Sequence, residues 1–281
     1  MTDNAIFIIT HGRPTNQLTY KTLRALNVAT PIYMVLDDED TTVGEYCQLY
    51  GCDRVIVFNK LAYINSTDTG LHEPFHKFAV FARNAVEDIA RSMGLRHFLV
   101  LDDDIIKFRA RYEENNSLKS GDLKDKFDAV LEKCFDFMDN NNLPCTSFGF
   151  TNVYRSGVSA LYSESSRLRL CAEAFIRSTA HDVSWRLNML EDLITSLDAG
   201  REGFVWLQLL PIQVEIVMSE GKITGGNSAA YNEFGKYRMN FMPTVVYPDC
   251  NSVRFHNGEW RTTLTEQYSL PKVISDSYKK R

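Results

Sequence analysis

The sequence of 281 residues has no apolar run near the roughly 20 residues that cross a bilayer. Its amino terminus also lacks a basic segment followed by an apolar one, as a secretory signal would have. No two cysteines form a Cys-x-x-Cys pair, which argues against a zinc ribbon and a secreted disulfide framework. We therefore expect a soluble, non-secreted, cytoplasmic protein without a membrane partner. Its cysteines, expected as reduced thiols, are Cys47, Cys52, Cys134, Cys145, Cys171 and Cys250.

Positive charge is not in excess, because 31 Lys and Arg residues face 36 Asp and Glu residues and leave a net charge of -5. A protein that binds nucleic acid mainly through phosphates is usually basic, so the total charge does not favour that class. Hydrophobic residues make up 44% of the chain, enough to bury a substantial core. The sequence shows no internal repeat and no linker, which predicts a single domain.

The first hundred residues alternate between short apolar runs and amphipathic segments. Such an order predicts parallel βαβ units with helices on both faces of a sheet. The predicted strands cover 5–10, 31–36, 54–59 and 98–101, and the predicted helices cover 16–27, 43–51 and 75–93. The second half is less regular, with helices predicted at 123–141 and 184–200 and strands at 145–150, 170–176 and 205–218. We expect an α/β fold with a mixed, mostly parallel sheet flanked by helices.

Polar clusters follow three of the predicted strands. Residues 10–14 follow the first strand, residues 37–40, which begin with Asp37, follow the second, and Asp102, Asp103 and Asp104 follow the strand at 98–101. In such sheets ligands bind beyond the carboxyl ends of the strands. The three clusters are therefore predicted to share one rim.

The aspartate triplet is the strongest chemical signal. Adjacent carboxylates repel one another, and burial disfavours their charged forms unless a cation or hydrogen bonds compensate. Magnesium and manganese prefer such oxygen ligands. On a strand end Asp102 and Asp104 point to one side and Asp103 to the other, so Asp102 and Asp104 are the predicted metal ligands. The alternative is a polar turn, in which Asp is common.

Three weaker candidates follow along the chain. Arg83, on the helix predicted at 75–93, can reach a diphosphate; the alternative is an exposed surface arginine. Glu191 and Asp192 can supply a base for an attacking hydroxyl; the alternative is a solvated acidic face. His256 ends an apolar stretch and can bind manganese; the alternative is a structural histidine.

The order of these features resembles the GT-A type of nucleotide-sugar glycosyltransferase over roughly residues 5–260. The resemblance rests on Thr-His-Gly-Arg-Pro after a strand, Asp-Asp after the next, "ARNAVEDIARSMG" on a helix, "FLVLDDDI", a Glu-Asp pair and a late His. Within this type, the chain is similar to stand-alone bacteriophage glycosyltransferases, some of which modify DNA bases. The host cytoplasm would then be its location.

The resemblance implies a Rossmann-like GT-A domain, with Mn²⁺ or Mg²⁺ as cofactor and a UDP-sugar as donor. Residues 1–110 would bind the nucleotide sugar, and residues 111–281 would bind the acceptor and carry the catalytic base and a late metal ligand. Nucleotide-sugar contacts are implied for Thr10, His11, Gly12, Arg13, Asp37, Arg83, Asp102 and Asp103. Metal ligation is implied for Asp102, Asp104 and His256, and base catalysis, with inversion at the sugar, for Asp192 or Glu191.

The acceptor implied by the phage enzymes is a hydroxymethylated pyrimidine in DNA. The arginines between 155 and 186, interleaved with Tyr154, Tyr162 and Trp185, are predicted to bind a backbone and stack an extruded base. The alternative is scattered surface arginines on an acidic protein.

Other functional classes also fit part of the pattern. A glycosyltransferase can instead act on a saccharide or surface glycan. Nucleotidyltransferases and phosphoribosyltransferases also place aspartates after an apolar strand and use magnesium, but need no late Glu-Asp base. A non-catalytic sugar or nucleic-acid binding module is the remaining alternative.

Overall fold

The structure is a computed structural model that describes residues 3–70, 78–162, 171–217, 237, 240–256, 258–264 and 273–279. The strands are β1 Asn4–Ile9, β2 Ile32–Asp37, β3 Val55–Phe58, β4 His97–Asp102, β5 Ile105–Glu114, β6 Ser117–Gly121, β7 Cys145–Phe150, β8 Ala174–Ser178, β9 Trp206–Ile216, β10 Asn251–His256 and β11 Glu259–Leu264. The helices are α1 Leu18–Ala25, α2 Val43–Tyr50, α3 Lys60–Ser66, α4 Ala79–Ser92, α5 Phe127–Asn141, α6 Ser159–Tyr162 and α7 Glu191–Arg201.

Within these residues the strands form a nine-stranded sheet in the order β3-β2-β1-β4-β8-β7-β9-β5-β6, and a separate hairpin of β10 and β11. The pairs from β3 to β4 are parallel, as are β7 and β9, whereas β8 and β5 run against both of their neighbours. The predicted α/β fold with a mixed, mostly parallel sheet is therefore confirmed. In the part of the chain that the structure describes, no helix has the length and apolar content to cross a membrane.

The central strands are apolar on both faces because helices cover both faces of the sheet. In β1, Ile6 and Ile8 lie in one core with residues of α1 and α5. The residue between them, Phe7, points to the opposite core, where it packs with residues of α4. Side chains of a strand alternate between its faces, so an unbroken apolar run is what two covered faces require.

The helix predicted at 184–200 begins only at Glu191, because α4 holds the backbone that precedes it. Asn84 accepts a hydrogen bond from the Trp185 N–H at 2.8 Å and donates one to the Trp185 carbonyl at 3.0 Å. These bonds occupy both backbone groups that a helix would use. Leu187 and Leu190 then adopt left-handed conformations, with φ of 67° and 58°. The apolar spacing alone did not reveal this competing partner.

Two further differences concern strands. The strand predicted at 170–176 forms at Ala174–Ser178, and the hairpin of β5 and β6 was not predicted. Most of β5 beyond its first residues is only partly buried or exposed, and its sequence mixes apolar and charged residues. β6 is short and polar. Neither strand has the apolar run that identifies a buried strand.

Two residues predicted to contact DNA lie in the core instead. Arg177 is fully buried, and its Nε lies 2.7 Å from Oε1 of Glu87 on α4. Trp185 is 1% exposed, and its indole N–H donates to the same Glu87 oxygen at 3.3 Å. A nucleic acid cannot reach either side chain, so this part of the prediction is wrong. The strand register turns Arg177 towards α4, where Glu87 compensates its charge.

The other described residues of the predicted DNA surface differ in burial and contacts. Tyr154 is buried, and its hydroxyl donates to a backbone carbonyl of β9. Arg186 forms ion pairs with two aspartates. Tyr162 is exposed, whereas Arg167 and Arg169 lie outside the described residues.

We expect Glu87→Ala to lower the free energy of unfolding by about 3–5 kcal/mol, because it leaves the Arg177 charge buried without a partner. Urea denaturation followed by circular dichroism measures this change. The control is Asp88→Ala on the same helix, where an exposed carboxylate lies 3.6 Å from Arg91 and the change should stay below about 1 kcal/mol. Equal effects of the two substitutions would contradict a structural role for the buried pair.

Candidate active site

The sequence clusters meet at one edge of the main sheet. β1 pairs with β2 on one side and β4 on the other, so the loops that follow these strands are neighbours. β8 runs in the opposite direction, and its first residue, Ala174, pairs with Leu101 of β4. The start of β8 therefore lies at the same edge as the end of β4. This edge is the predicted rim.

Asp103 holds the loop that follows β1. Its two carboxylate oxygens accept hydrogen bonds from Thr10 Oγ1 at 2.7 Å and from Arg13 Nη1 at 2.9 Å. Gln17 donates to Thr10 Oγ1 at 2.7 Å and extends the network. Charge-assisted bonds of this kind fix the loop in one conformation. Thr10, Arg13 and Asp103 are thus together, and their contact with a nucleotide sugar stays a prediction.

A second network joins the loop after β1 to the loop after β2. His11 Nδ1 lies 3.0 Å from Asp37 Oδ2, and the Gly12 N–H donates to Asp40 Oδ2 at 2.7 Å. Lys60 Nζ lies 3.6 Å from the same Asp37 oxygen. Burial acts to raise the pKa of Asp37, but the hydrogen bond with His11 and the charge of Lys60 outweigh it and hold that pKa below its usual value. Asp37 is therefore an ionised acceptor at the rim.

Arg83 joins two of the predicted site carboxylates. Its side chain is 5% exposed; Nε donates to Glu191 at 3.0 Å and Nη2 to Asp102 at 3.2 Å. The rings of Phe175 and Trp185 lie 4.8 and 5.4 Å from the guanidinium carbon, a cation–π arrangement. Burial disfavours the charged form, yet the two carboxylates outweigh it and keep the pKa of Arg83 above its usual value. Its contact with a diphosphate stays a prediction.

Asp104 has a carboxylate oxygen without a partner. Oδ1 of Asp104 is buried and accepts no hydrogen bond from any described residue. Burial, together with the charges of Asp102 and Asp103, raises the pKa of Asp104 to about 7. A carboxylate in this state binds a proton or a cation readily. Asp102 and Asp104 are therefore residues that could hold a metal ion.

Glu173, immediately before β8, is a site residue that the sequence reasoning missed. Burial, and then the charges of Asp102 and Asp104, raise the pKa of Glu173 well above its usual value. Its backbone is left-handed, with φ of 63°, a conformation that functional sites often hold. The signal in the sequence was one acidic residue within the apolar stretch "LCAEAFI". The apolar pattern of that stretch predicts only a strand.

Asp192 stands in the first turn of α7, next to Glu191. Burial and the neighbouring negative charge of Glu191 raise the pKa of Asp192 to about 7. The Leu193 N–H donates to Asp192 Oδ1 at 2.7 Å and orients the carboxylate. Because Glu191 is engaged by Arg83, Asp192 is the member of the pair that is available to exchange a proton.

His256 is the last residue of β10 and is exposed. Among the described residues, no group of three His, Cys, Asp or Glu side chains is arranged to hold a metal ion. The structure thus does not assemble Asp102, Asp104 and His256 into one ligand set. The role of His256 as a metal ligand stays a prediction.

Comparisons with known proteins give a family and a similar fold. The family model described as TET-associated glycosyltransferase matches residues 4–221 of the chain. The fold is similar to glucosyl-3-phosphoglycerate synthase from Mycobacterium tuberculosis in complex with Mn²⁺ and UDP-glucose, with 10% identity, a TM-score of 0.50, and coverage of 93% of this chain and 86% of that chain. A second structure of that synthase gives 11% identity, a TM-score of 0.50, and coverage of 92% and 89%. No curated protein matches the sequence.

The likeness to these structures confirms the predicted GT-A-like fold. At such low identity the likeness shows a shared fold and not shared substrates. The division of the chain into residues 1–110 and 111–281 stays a prediction, and the ion pair between Arg83 and Glu191 crosses that boundary.

We expect Asp104→Asn to raise the melting temperature at pH 8 in EDTA by roughly 2–4 °C. A gain of about 1 kcal/mol in the free energy of unfolding gives a shift of this size in a chain of this length. The folded-state pKa of Asp104, about 7, lies above the unfolded value of 3.8, so the carboxyl destabilises the fold increasingly as pH rises between these values. The gain should therefore be smaller at pH 5. Differential scanning fluorimetry measures it.

The matched control is Asp40→Asn at the same rim. Asp40 accepts hydrogen bonds from the N–H groups of Gly12 and Thr42, and an amide cannot accept from both in the same geometry. We therefore expect Asp40→Asn to lower the melting temperature at both pH values. A loss of stability in Asp104→Asn at pH 8 would contradict the unpartnered state of its carboxylate.

Proposed function

The chain belongs to the TET-associated glycosyltransferase family, and we propose that it transfers a sugar from a nucleotide diphosphate sugar, specifically a UDP-sugar, to an acceptor hydroxyl with a divalent metal ion as cofactor. The observation that carries this proposal is the rim itself. Arg83 holds Asp102 beside Glu191 there, while Asp104 and Asp192 are left with pKa values of about 7. The Asp104 carboxylate is suited to bind a cation, and the Asp192 carboxylate is suited to accept a proton.

The residues at the rim fit a metal ion. The buried, unpartnered oxygen of Asp104 and the neighbouring Asp102 offer the hard oxygen ligands that Mn²⁺ and Mg²⁺ prefer. Such an ion neutralises the charge that develops on a diphosphate leaving group. The mycobacterial synthase of similar fold, in complex with Mn²⁺ and UDP-glucose, supports this choice of metal and donor.

The two loop networks would bind the nucleotide. Asp37 is ionised and can accept hydrogen bonds from the base or ribose. Arg13, fixed by Asp103, carries a positive charge at the rim that can approach phosphate oxygens. Thr10, His11 and Gly12 complete the loop. We assign nucleotide-sugar contacts to Thr10, His11, Gly12, Arg13, Asp37, Arg83, Asp102 and Asp103.

Asp192 would act as the general base. Its carboxylate can accept the proton of the acceptor hydroxyl as that oxygen attacks the sugar. A base that activates the acceptor directly leads to a single displacement and therefore to inversion at the sugar. Glu191 raises the pKa of Asp192 and is itself held by Arg83, so we assign it a positioning role.

We propose a hydroxymethylated pyrimidine in phage DNA as the acceptor. Its hydroxymethyl group supplies the hydroxyl that the transfer needs, and the TET association in the family name supports this choice. A saccharide or surface glycan is the alternative acceptor. A magnesium-dependent nucleotidyltransferase is the alternative activity.

A transfer assay tests the proposal. The protein is incubated with Mn²⁺, radiolabelled UDP-glucose or other UDP-sugars, and duplex DNA that contains either hydroxymethylated or plain cytosine. We expect label on the hydroxymethylated DNA alone, and loss of transfer in EDTA. Transfer to a saccharide without transfer to the modified DNA would overturn the DNA acceptor and leave the glycosyltransferase activity in place.

We expect Asp192→Asn to lower kcat by about 100- to 10,000-fold, the usual contribution of a general base. For the unsubstituted protein, the rate should rise with pH through about 7, because the base accepts a proton only when it is ionised. The variant should lose this rise. Glu202→Gln, exposed just beyond the same helix, is the control and should leave both the rate and the pH profile unchanged. Full sugar transfer by Asp192→Asn would overturn the role of Asp192 as the base.

A further inference from the structure

Four aromatic side chains form a partly exposed cluster at the hairpin of β10 and β11, which we term the aromatic hairpin. Phe255 and Trp260 lie opposite each other in register, with ring centroids 5.3 Å apart. Tyr237 and Phe241 place their rings 5.7 and 5.9 Å from that of Trp260. Phe255 is 62% exposed, Tyr237 54% and Trp260 40%. Clustered exposed apolar side chains mark interaction sites more often than isolated ones do.

The same hairpin places two positive charges directly opposite each other. Arg254 and Arg261 are cross-strand partners, an arrangement that destabilises a hairpin when both side chains carry the same charge. The Arg254 guanidinium has no ion-pair or hydrogen-bond partner among the residues that the structure describes. Arg261 lies 3.5 Å from Glu259 in an exposed pair, which contributes little. An anion bound by both guanidinium groups would replace their repulsion with attraction.

The hairpin is attached to the helix that carries the proposed base. Cys250, just before β10, and Leu264, the last residue of β11, pack in one cluster with Leu193 and Leu197 of α7. Asp192 lies at the start of that helix. A molecule bound to the hairpin is therefore held by the same structural unit as the base.

We propose that the aromatic hairpin binds the DNA acceptor, with bases extruded from the duplex stacked on its rings and backbone phosphates bound by Arg254 and Arg261. This inference rests on the proposed function, because it supplies the acceptor surface for the same reaction. Aromatic rings stack on every base, and arginine matches phosphate geometry. The two sets of side chains lie on opposite faces of a thin ribbon, so a nucleic-acid strand that wraps the ribbon contacts both.

Charge distinguishes this partner from others that favour exposed rings. An apolar protein surface or a neutral sugar would cover the rings and leave the arginine repulsion in place. A polyanion removes it. The chain as a whole carries a net charge of -5, so it attracts phosphates through local positive groups such as this arginine pair.

The first test uses the double substitution Arg254→Gln with Arg261→Gln. Fluorescence anisotropy with labelled hydroxymethylated duplex DNA and no UDP-sugar measures binding. We expect affinity to fall about tenfold or more at low salt. The slope of log K against log salt concentration should become shallower by about 1.8, since each phosphate contact contributes about 0.9. The melting temperature should stay equal or rise, because a repulsive pair has been removed.

The second test removes the rings. We expect Phe255→Ala and Trp260→Ala each to weaken DNA binding by about tenfold with little change in the salt slope, since stacking is not a charge interaction. Controls are Tyr112→Ala, exposed on β5, and Lys133→Gln, exposed on α5. Both controls should bind like the unsubstituted protein. The melting temperature and the hydrolysis of UDP-sugar without an acceptor should be normal in every hairpin variant, which separates loss of DNA binding from misfolding.

The outcomes separate this inference from the proposed function. Normal DNA binding and transfer in all hairpin variants would overturn the hairpin and leave the glycosyltransferase in place. DNA binding that depends on the hairpin, without transfer to any hydroxymethylated acceptor, would support the hairpin and overturn the proposed acceptor. If the ring substitutions instead abolish self-association in analytical ultracentrifugation, or binding to a glycan, and leave DNA binding unchanged, the inference is wrong.

Discussion

One buried arginine, Arg83, organises the rim. Arg83 donates to Asp102 at the end of β4 and to Glu191 at the start of α7. Its charge also acts to lower the pKa of Glu173, but burial and the charges of Asp102 and Asp104 outweigh it and raise that pKa. Buried carboxylates raise one another's pKa, so a cluster of this size requires a positive group inside it. Arg83 makes no hydrogen bond to Asp104 or Asp192, and these are the two carboxylates with pKa values of about 7. Its two bonds thus hold Asp102 and Glu191 in place and leave Asp104 and Asp192 open to a cation or a proton.

Much of the fold and of the rim could be predicted because the central strands have a recognisable sequence pattern. β1, β2 and β4 are apolar on both faces, and parallel strands bring their carboxyl ends to one edge. The positions of Asp37, Asp102 and Asp104 at that edge follow directly. Arg83 was found through its place before β4, although its partners were not.

The rest depends on contacts between distant segments that local patterns do not contain. Glu173 belongs to the rim only because β8 runs against β4, and a short apolar run does not show its direction. The helix before Glu191 was predicted too long because Asn84, about a hundred residues earlier, captures the Trp185 backbone. The sequence predicts Arg177 at the surface because buried arginines are rare, and its partner Glu87 lies 90 residues away.

The strand order also determines when the rim can exist. β5 follows β4 in the chain by only a few residues, yet β8, β7 and β9 lie between them in the sheet. During synthesis, β4 therefore emerges with one edge unpaired, and it gains its neighbour only after the chain has reached β8. The β5–β6 hairpin must wait longer, until β9 is made. Such non-local pairing is slow and exposes strand edges to aggregation. A nascent chain with its aspartate triplet complete therefore lacks β7 to β9 and the Glu191 end of the arginine bridge.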